Sequence, residues 1–164
     1  MDTAGLPQPD MGAAALFWGR YLAHAGEAGL YSDVACFGDS AEMADQLLDL
    51  VINGEKRATT GSILEYQDEG ITTPSPGDRW IACDGTGTPR AVLRTTEARV
   101  GPLSSVDEAF AWDEGEGDRT RADWLRFHTA YFVRRFEELG VPFHPDIEVC
   151  FERFEVSYVE RDSD

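Results

Sequence analysis

Lysine is nearly missing from this sequence. Thirteen of its fourteen basic residues are arginine, and the single lysine is Lys56. Cysteine is scarce as well. Cys36, Cys83 and Cys150 are odd in number and far apart, which argues against a disulfide framework or a cysteine zinc site and suits a reducing cytoplasm. No apolar run approaches the roughly 18 residues of a membrane span. No basic flank leads into an apolar stretch at the N-terminus, so a signal peptide is not expected. Positive charge is short overall. Fourteen bases against 31 acids leave a formal charge of −17. Such a surface repels polyphosphate and resists duplex DNA. Any nucleic-acid activity therefore needs a local patch, a single strand or a small nucleoside. His24, His128 and His144 show no metal-ligand spacing. Phosphate-loop, dinucleotide and nucleophile-elbow patterns are all absent.

What is present suits one folded domain. The 164 residues are 42% hydrophobic and 11% aromatic, enough for a core. Residues 1–11, with Pro7 and Pro9, read as a loose tail, and 12–160 as a single domain. Helical spacing over 12–27 places Leu16, Phe17, Tyr21 and Leu22 inward. "YSDVACFGDS" predicts a short strand and a turn. Ser40 is a fitting N-cap for a helix with Met43, Leu47, Leu50 and Val51 on one stripe, ending at Gly54. "SILEYQDEG" predicts a short helix closed by Gly70. Pro76-Gly77-Asp78 introduces a strand over 80–83, "DGTGTP" a hairpin turn, and "RAVLRTTEARV" a further strand. Thr120 with Asp123 resembles a capping box, opening a helix with Trp124, His128, Phe132 and Phe136. "DIEVCFERFEVSYVE" is a last strand. Strands do not alternate with long helices, so a doubly wound sheet is disfavoured. The expectation is an α+β domain with a small curled sheet or barrel.

The chemistry-bearing stretches are "GEKRATTG" and "DEGEGD". In a plain strand Lys56 aligns with Ala58 and Thr60 and faces away from Thr59. Lys56 and Thr59 cooperate only if the chain turns between them. The ordinary alternative is a lysine at a helix C-terminus, where it offsets the dipole. Glu114, Glu116 and Asp118 in the second stretch suit a solvated loop, a hard cation or one general base. Tyr66, Trp112, Trp124 and Tyr131 offer rings for stacking, although buried aromatics more often fill cores.

Taken in order, "FGDS", "AEMADQLLDLVINGEKRATT", "VDEAFAWDEGEGDRTRADWLRFH" and "CFERFEV" resemble the ASCH family, the activating-signal-cointegrator homology domains, over residues 37–158. The resemblance implies a small PUA-like β-barrel with flanking helices, whose cleft takes RNA or a nucleoside. One branch of that family removes the acetyl group of N(4)-acetylcytidine with a lysine, a threonine and a glutamate. Lys56, Thr59 and Glu114 match these. Arg57, Thr60, Ser62, Tyr66, Glu116, Trp124 and His128 are the expected substrate-binding residues. No metal and no tightly bound cofactor are implied. The expected partner is a modified nucleoside or a short single-stranded RNA, and a ribonuclease or a non-catalytic RNA-binding module are the other readings. The family's arginine two residues after the threonine is absent, since Gly61 stands there. Two arrangements are consistent. Either burial leaves Lys56 neutral and it activates Thr59, or Lys56 stays charged and stabilises an oxyanion while Glu114 activates water.

Overall fold

The computed structural model describes residues 7–160. Five strands form one sheet, in the order β1-β3-β4-β5-β2. Its strands are β1 (Val34–Cys36), β2 (Ala58–Ser62), β3 (Arg79–Cys83), β4 (Pro89–Pro102) and β5 (Glu148–Val159). β1 runs parallel to β3, and the remaining pairs are antiparallel. The long β4–β5 ribbon shifts register twice along its length. Such irregularities bend a strand and sharpen its twist, and the sheet curls into a half-barrel. The two edge strands, β1 and β2, then face each other across an open seam.

Five α-helices flank the sheet among the described residues: α1 (Met11–Ala25), α2 (Ala41–Ile52), α3 (Ile63–Glu69), α4 (Glu108–Glu114) and α5 (Arg121–Leu139). Each has a side-chain oxygen at its N-cap, from Asp10, Ser40, Ser62, Asp107 and Thr120 in turn, satisfying donors that the first turn leaves unpaired. The predicted α+β class and curled sheet are the ones observed. Some facing residues differ from expectation. Leu16 lies outward on α1, which buries Phe17 and Tyr21 as expected, together with Ala14 and Trp18. On α2 the buried stripe is Ala44, Leu48 and Val51. The helix expected from residue 12 starts at Met11, and the backbone N–H of Asp10 donates to the Gly87 carbonyl. The rest of the predicted tail, residues 1–6, lies outside the described residues.

The core has three clusters: one packs α1 against Ile81 and Val92, and the other two lie on opposite sides of β2 and β5. On one, Ala58, Val149 and Phe151 pack beneath α4 and α5 with Phe110, Trp124 and Phe132. On the other, Phe37, Trp80, Leu93 and Phe154 pack with α2. Alternation along β2 and β5 makes this division, and it decides which threonine of "ATTGS" meets which neighbours. Among the described residues no helix is long and apolar enough to cross a membrane.

Candidate functional site

Asn53 caps the α2 helix, and Gly54, at φ 90°, reverses the chain towards β2. The backbone amides of Glu55 and Lys56 both donate to the Leu50 carbonyl. This turn aims Lys56 inward at the start of an edge strand. Its side chain is 1% exposed. The Nζ donates to the Ala58 carbonyl at 2.8 Å, to Glu114 Oε1 at 2.9 Å and to Glu116 Oε2 at 2.9 Å. An ammonium has three N–H donors, and all three are taken. Arginine carries five donors in a wide planar fork and does not match three acceptors around a point. That accounts for the lone lysine.

Glu114, the last residue of α4, is equally buried. Its Oε1 accepts from Lys56. Its Oε2 accepts from Thr60 Oγ1 at 2.9 Å, from Trp124 Nε1 and from His128 Nε2 at 3.0 Å. The His128 Nδ1 lies 2.9 Å from the Trp124 carbonyl. Both ring nitrogens therefore face acceptors, an arrangement that favours the imidazolium form. The ring stacks on Trp124, with centroids 3.8 Å apart.

Charge in the cluster follows from these contacts. Burial would push Glu114 up, but His128 and Lys56 outweigh it and hold the carboxyl far below the ordinary range. Burial would push Lys56 down, but Glu114 and Glu116 more than offset it and raise the ammonium. His128 is raised by Glu114 against the same desolvation. Two cations thus balance two carboxylates. The neutral lysine that one of the two sequence arrangements needs is not the state this environment favours. Glu114, Glu116 and His128 bring ligand-type atoms within 4.8 Å of one another, but the Lys56 ammonium already bridges both carboxylates. The loop behind them is tight. Gly115 sits at φ 72°, where an added Cβ would lie 2.3 Å from the Glu55 carbonyl oxygen.

The main cleft lies elsewhere. It is a cavity of about 510 Å³ in the seam between β1 and β2, beneath α3 and the segment before β3. Phe37, Tyr66, Trp80 and Tyr131 line it, together with Thr59, Thr60, Gly61 and Glu152. So do Asp33, Asp39, Glu65, Asp68, Glu69 and Asp78, against a single cation among the described residues, Arg135. Arg135 is tied to Glu65 at 3.3 Å. The cluster touches the cleft region through Thr60 and through Phe37, whose ring centroid is 5.6 Å from Lys56 Nζ.

The expected site residues thus separate. Lys56, Glu114, Glu116, Thr60, Trp124 and His128 form one hydrogen-bonded cluster. Thr59 is not among them: it alternates to the other face of β2 and lines the cleft with Tyr66. Arg57 pairs with Asp113 at 2.9 Å, and neither lines the cleft. Ser62 is buried and bonds Glu65 at 2.9 Å. At Gly61, an added Cβ would sit 2.7 Å from the Tyr66 hydroxyl. The ring fills the space that an arginine there would need.

Sequence reasoning passed over Glu152. It is 2% exposed, on β5, directly opposite Thr59. Burial is the main reason its carboxyl lies above the ordinary range. Its one sequence signal is an acid between Cys150 and Phe154 on an inward-facing face of a strand.

A family model described as the ASCH domain matches residues 33–158. A crystal structure of a protein from Enterococcus faecalis V583 superposes with a TM-score of 0.81 at 33% identity, covering 89% of this chain and 88% of that one. The ASCH domain from Lactobacillus crispatus JV V101 superposes with a TM-score of 0.80 at 29% identity, covering 90% and 95%. No curated protein matches the sequence.

Proposed function

The chain belongs to the ASCH domain family, and on that premise we propose that it takes a pyrimidine nucleoside into the seam of its half-barrel and hydrolyses the acyl amide of N(4)-acylated cytidine. The observation that carries this reading is the lining of the cleft. Three aromatic rings, Phe37, Tyr66 and Trp80, border a hydroxyl, Thr59, and a buried carboxyl, Glu152. A flat heterocycle is held by such rings. The surrounding acids repel phosphate, which favours an uncharged nucleoside over a long RNA strand.

In this reading Thr59 supplies the attacking oxygen. Lys56 and Glu114 act as positioning residues. Their bonds to the Ala58 carbonyl and the Thr60 hydroxyl pin β2 on both sides of Thr59. A nucleophile fixed in near-attack geometry gains several kcal/mol over a mobile one, on the order of 7 kcal/mol in favourable cases. A ribonuclease would need free cationic groups facing the cleft, and Arg135 is already paired.

Incubation with N(4)-acetylcytidine, followed by chromatography, tests the reading. Free cytidine and acetate are expected, with a rate that hardly changes between low and moderate salt. A short single-stranded RNA run in parallel is expected to stay intact. Cleaved RNA, or affinity for RNA that falls steeply with salt and no release of cytidine, would replace this reading with a nucleic-acid one.

A further inference from the structure

We infer that Glu152 is the proton acceptor for the Thr59 hydroxyl, the two residues standing directly opposite each other in the β2–β5 pair at the wall of the cleft. This rests on the hydrolase reading and goes beyond it by assigning the base to a residue outside the Lys56–Glu114 cluster.

Register carries the first part. Thr59 and Glu152 are direct partners in the antiparallel pair. Directly opposed residues put their side chains on the same face, with Cβ atoms about 5 Å apart. The next pair, Thr60 and Phe151, faces the other way, into the Glu114 side of the sheet. Glu114 therefore lies across the sheet from Thr59, and its oxygens already receive four donors.

The environment of Glu152 carries the second part. Its Oε2 accepts from Thr95 Oγ1 at 2.7 Å and from Trp80 Nε1 at 3.0 Å. Its Oε1 has no hydrogen-bond partner among the described residues. Yet no fully buried side-chain oxygen there lacks one, so Oε1 is open, and the cavity that Glu152 lines is where it opens. One oxygen is locked and the other free, which holds a base in a single orientation. Four of the other cleft acids are engaged, Asp39 with Arg134, while Asp68 and Glu69 lie on α3 and are not strand partners of Thr59. Glu65 bonds Ser62, Tyr131 and Arg135, Asp78 bonds the Ser75 amide, and Asp33 bonds the Val34 amide. Burial, with Asp78 and Asp33 adding like charge, raises the Glu152 carboxyl, while the Thr95 and Trp80 donors restrain the rise. Tyr66 of α3 and Cys150 of β5 are the other titratable neighbours, and Arg135 of α5 lines the same cavity. A base raised towards neutrality suits proton transfer better than a strongly acidic carboxyl.

The step balances without a co-reactant other than water. The Thr59 proton moves to Glu152 Oε1 as Oγ1 bonds to the acyl carbon. The carbon–N4 bond breaks, and the proton passes from Glu152 to the departing amine. Water then attacks the threonyl ester, giving its proton to Glu152. The acid leaves, and Thr59 regains its proton.

The test uses p-nitrophenyl acetate, which acylates a competent hydroxyl without needing nucleoside recognition, beside N(4)-acetylcytidine. Wild-type protein, Thr59→Val, Glu152→Gln and Glu152→Asp are compared, with peptide mapping of the acetyl group. Wild type is expected to carry the acetyl group on Thr59, at a rate that rises with pH through one ionisation. Glu152→Gln is expected to slow this by about 100-fold or more and to flatten the pH profile. Glutamine can still accept from Thr95 and Trp80, so the fold is retained. Glu152→Asp is expected to restore a pH-dependent but slower reaction. Labelling of Thr59 in Glu152→Gln at the wild-type rate and pH profile overturns the inference, and so does wild type left unlabelled at Thr59 by both reagents. Glu152-dependent labelling by the ester with no hydrolysis of N(4)-acetylcytidine supports the pair and removes only the cytidine substrate.

Discussion

Glu114→Ala is expected to destabilise the protein by about 3–5 kcal/mol, because it leaves the buried Lys56 ammonium and the His128 imidazolium without their shared partner. Much of that loss belongs to the orphaned charge rather than to the bond. The double variant Lys56→Met/Glu114→Gln is therefore expected to be less damaged than the sum of its two single variants. Urea unfolding of all four proteins measures this cycle, and simple additivity would show that the cluster does not act as a unit. The sign with pH follows from the directions. The Glu114 carboxyl is lowered in the fold, so its stabilisation is complete above the unfolded value of about 4.3 and is lost as pH falls towards the folded one. Lys56 is raised, so its contribution is complete below about 10.4 and is lost as pH climbs through the folded value. His128 is raised too and behaves likewise, complete below about 6.5.

Neighbouring threonines are expected to separate function from stability. Thr59→Val removes the cleft hydroxyl and is expected to lower deacylation by roughly 10³–10⁶-fold, as for loss of a nucleophile, with little change in unfolding. Thr60→Val removes a bond to Glu114. It is expected to cost about 1–3 kcal/mol through the lost hydrogen bond to the buried carboxylate, which keeps Trp124 and His128, and to lower activity far less than Thr59→Val does. Parallel assays and melts of the two variants check this. The reverse pattern would move the chemistry to the buried cluster.

This pair of residues shows how far the sequence could be read. Strand alternation already set Thr60 with Lys56 and turned Thr59 away, and the β2 geometry has that form. Caps at Ser40 and Thr120, and the glycines after α2 and α5, marked helix ends because cap chemistry is local. The convergence of "GEKRATTG" with "DEGEGD" was carried by resemblance, since no local rule brings Lys56 to Glu114 across 58 positions. Glu152 stayed hidden for a related reason. Its meaning depends on β2 pairing with β5 and on Trp80 and Thr95 arriving from two other strands. Within "CFERFEV" it reads only as a charged residue in a strand. The charge state of Lys56 was open as well. Burial and carboxylate neighbours act in opposite directions, and only the count of neighbours, two acids around one ammonium, decides between them.

A crystal structure of the protein with cytidine bound tests the cleft assignment most directly. The base is expected in the seam between β1 and β2, among Phe37, Tyr66 and Trp80, with its amino group turned towards Thr59 and Glu152. Cytidine seated away from that seam, for example on the exposed Trp112 and Phe127, or leaving the cleft empty at saturating concentration, would contradict it.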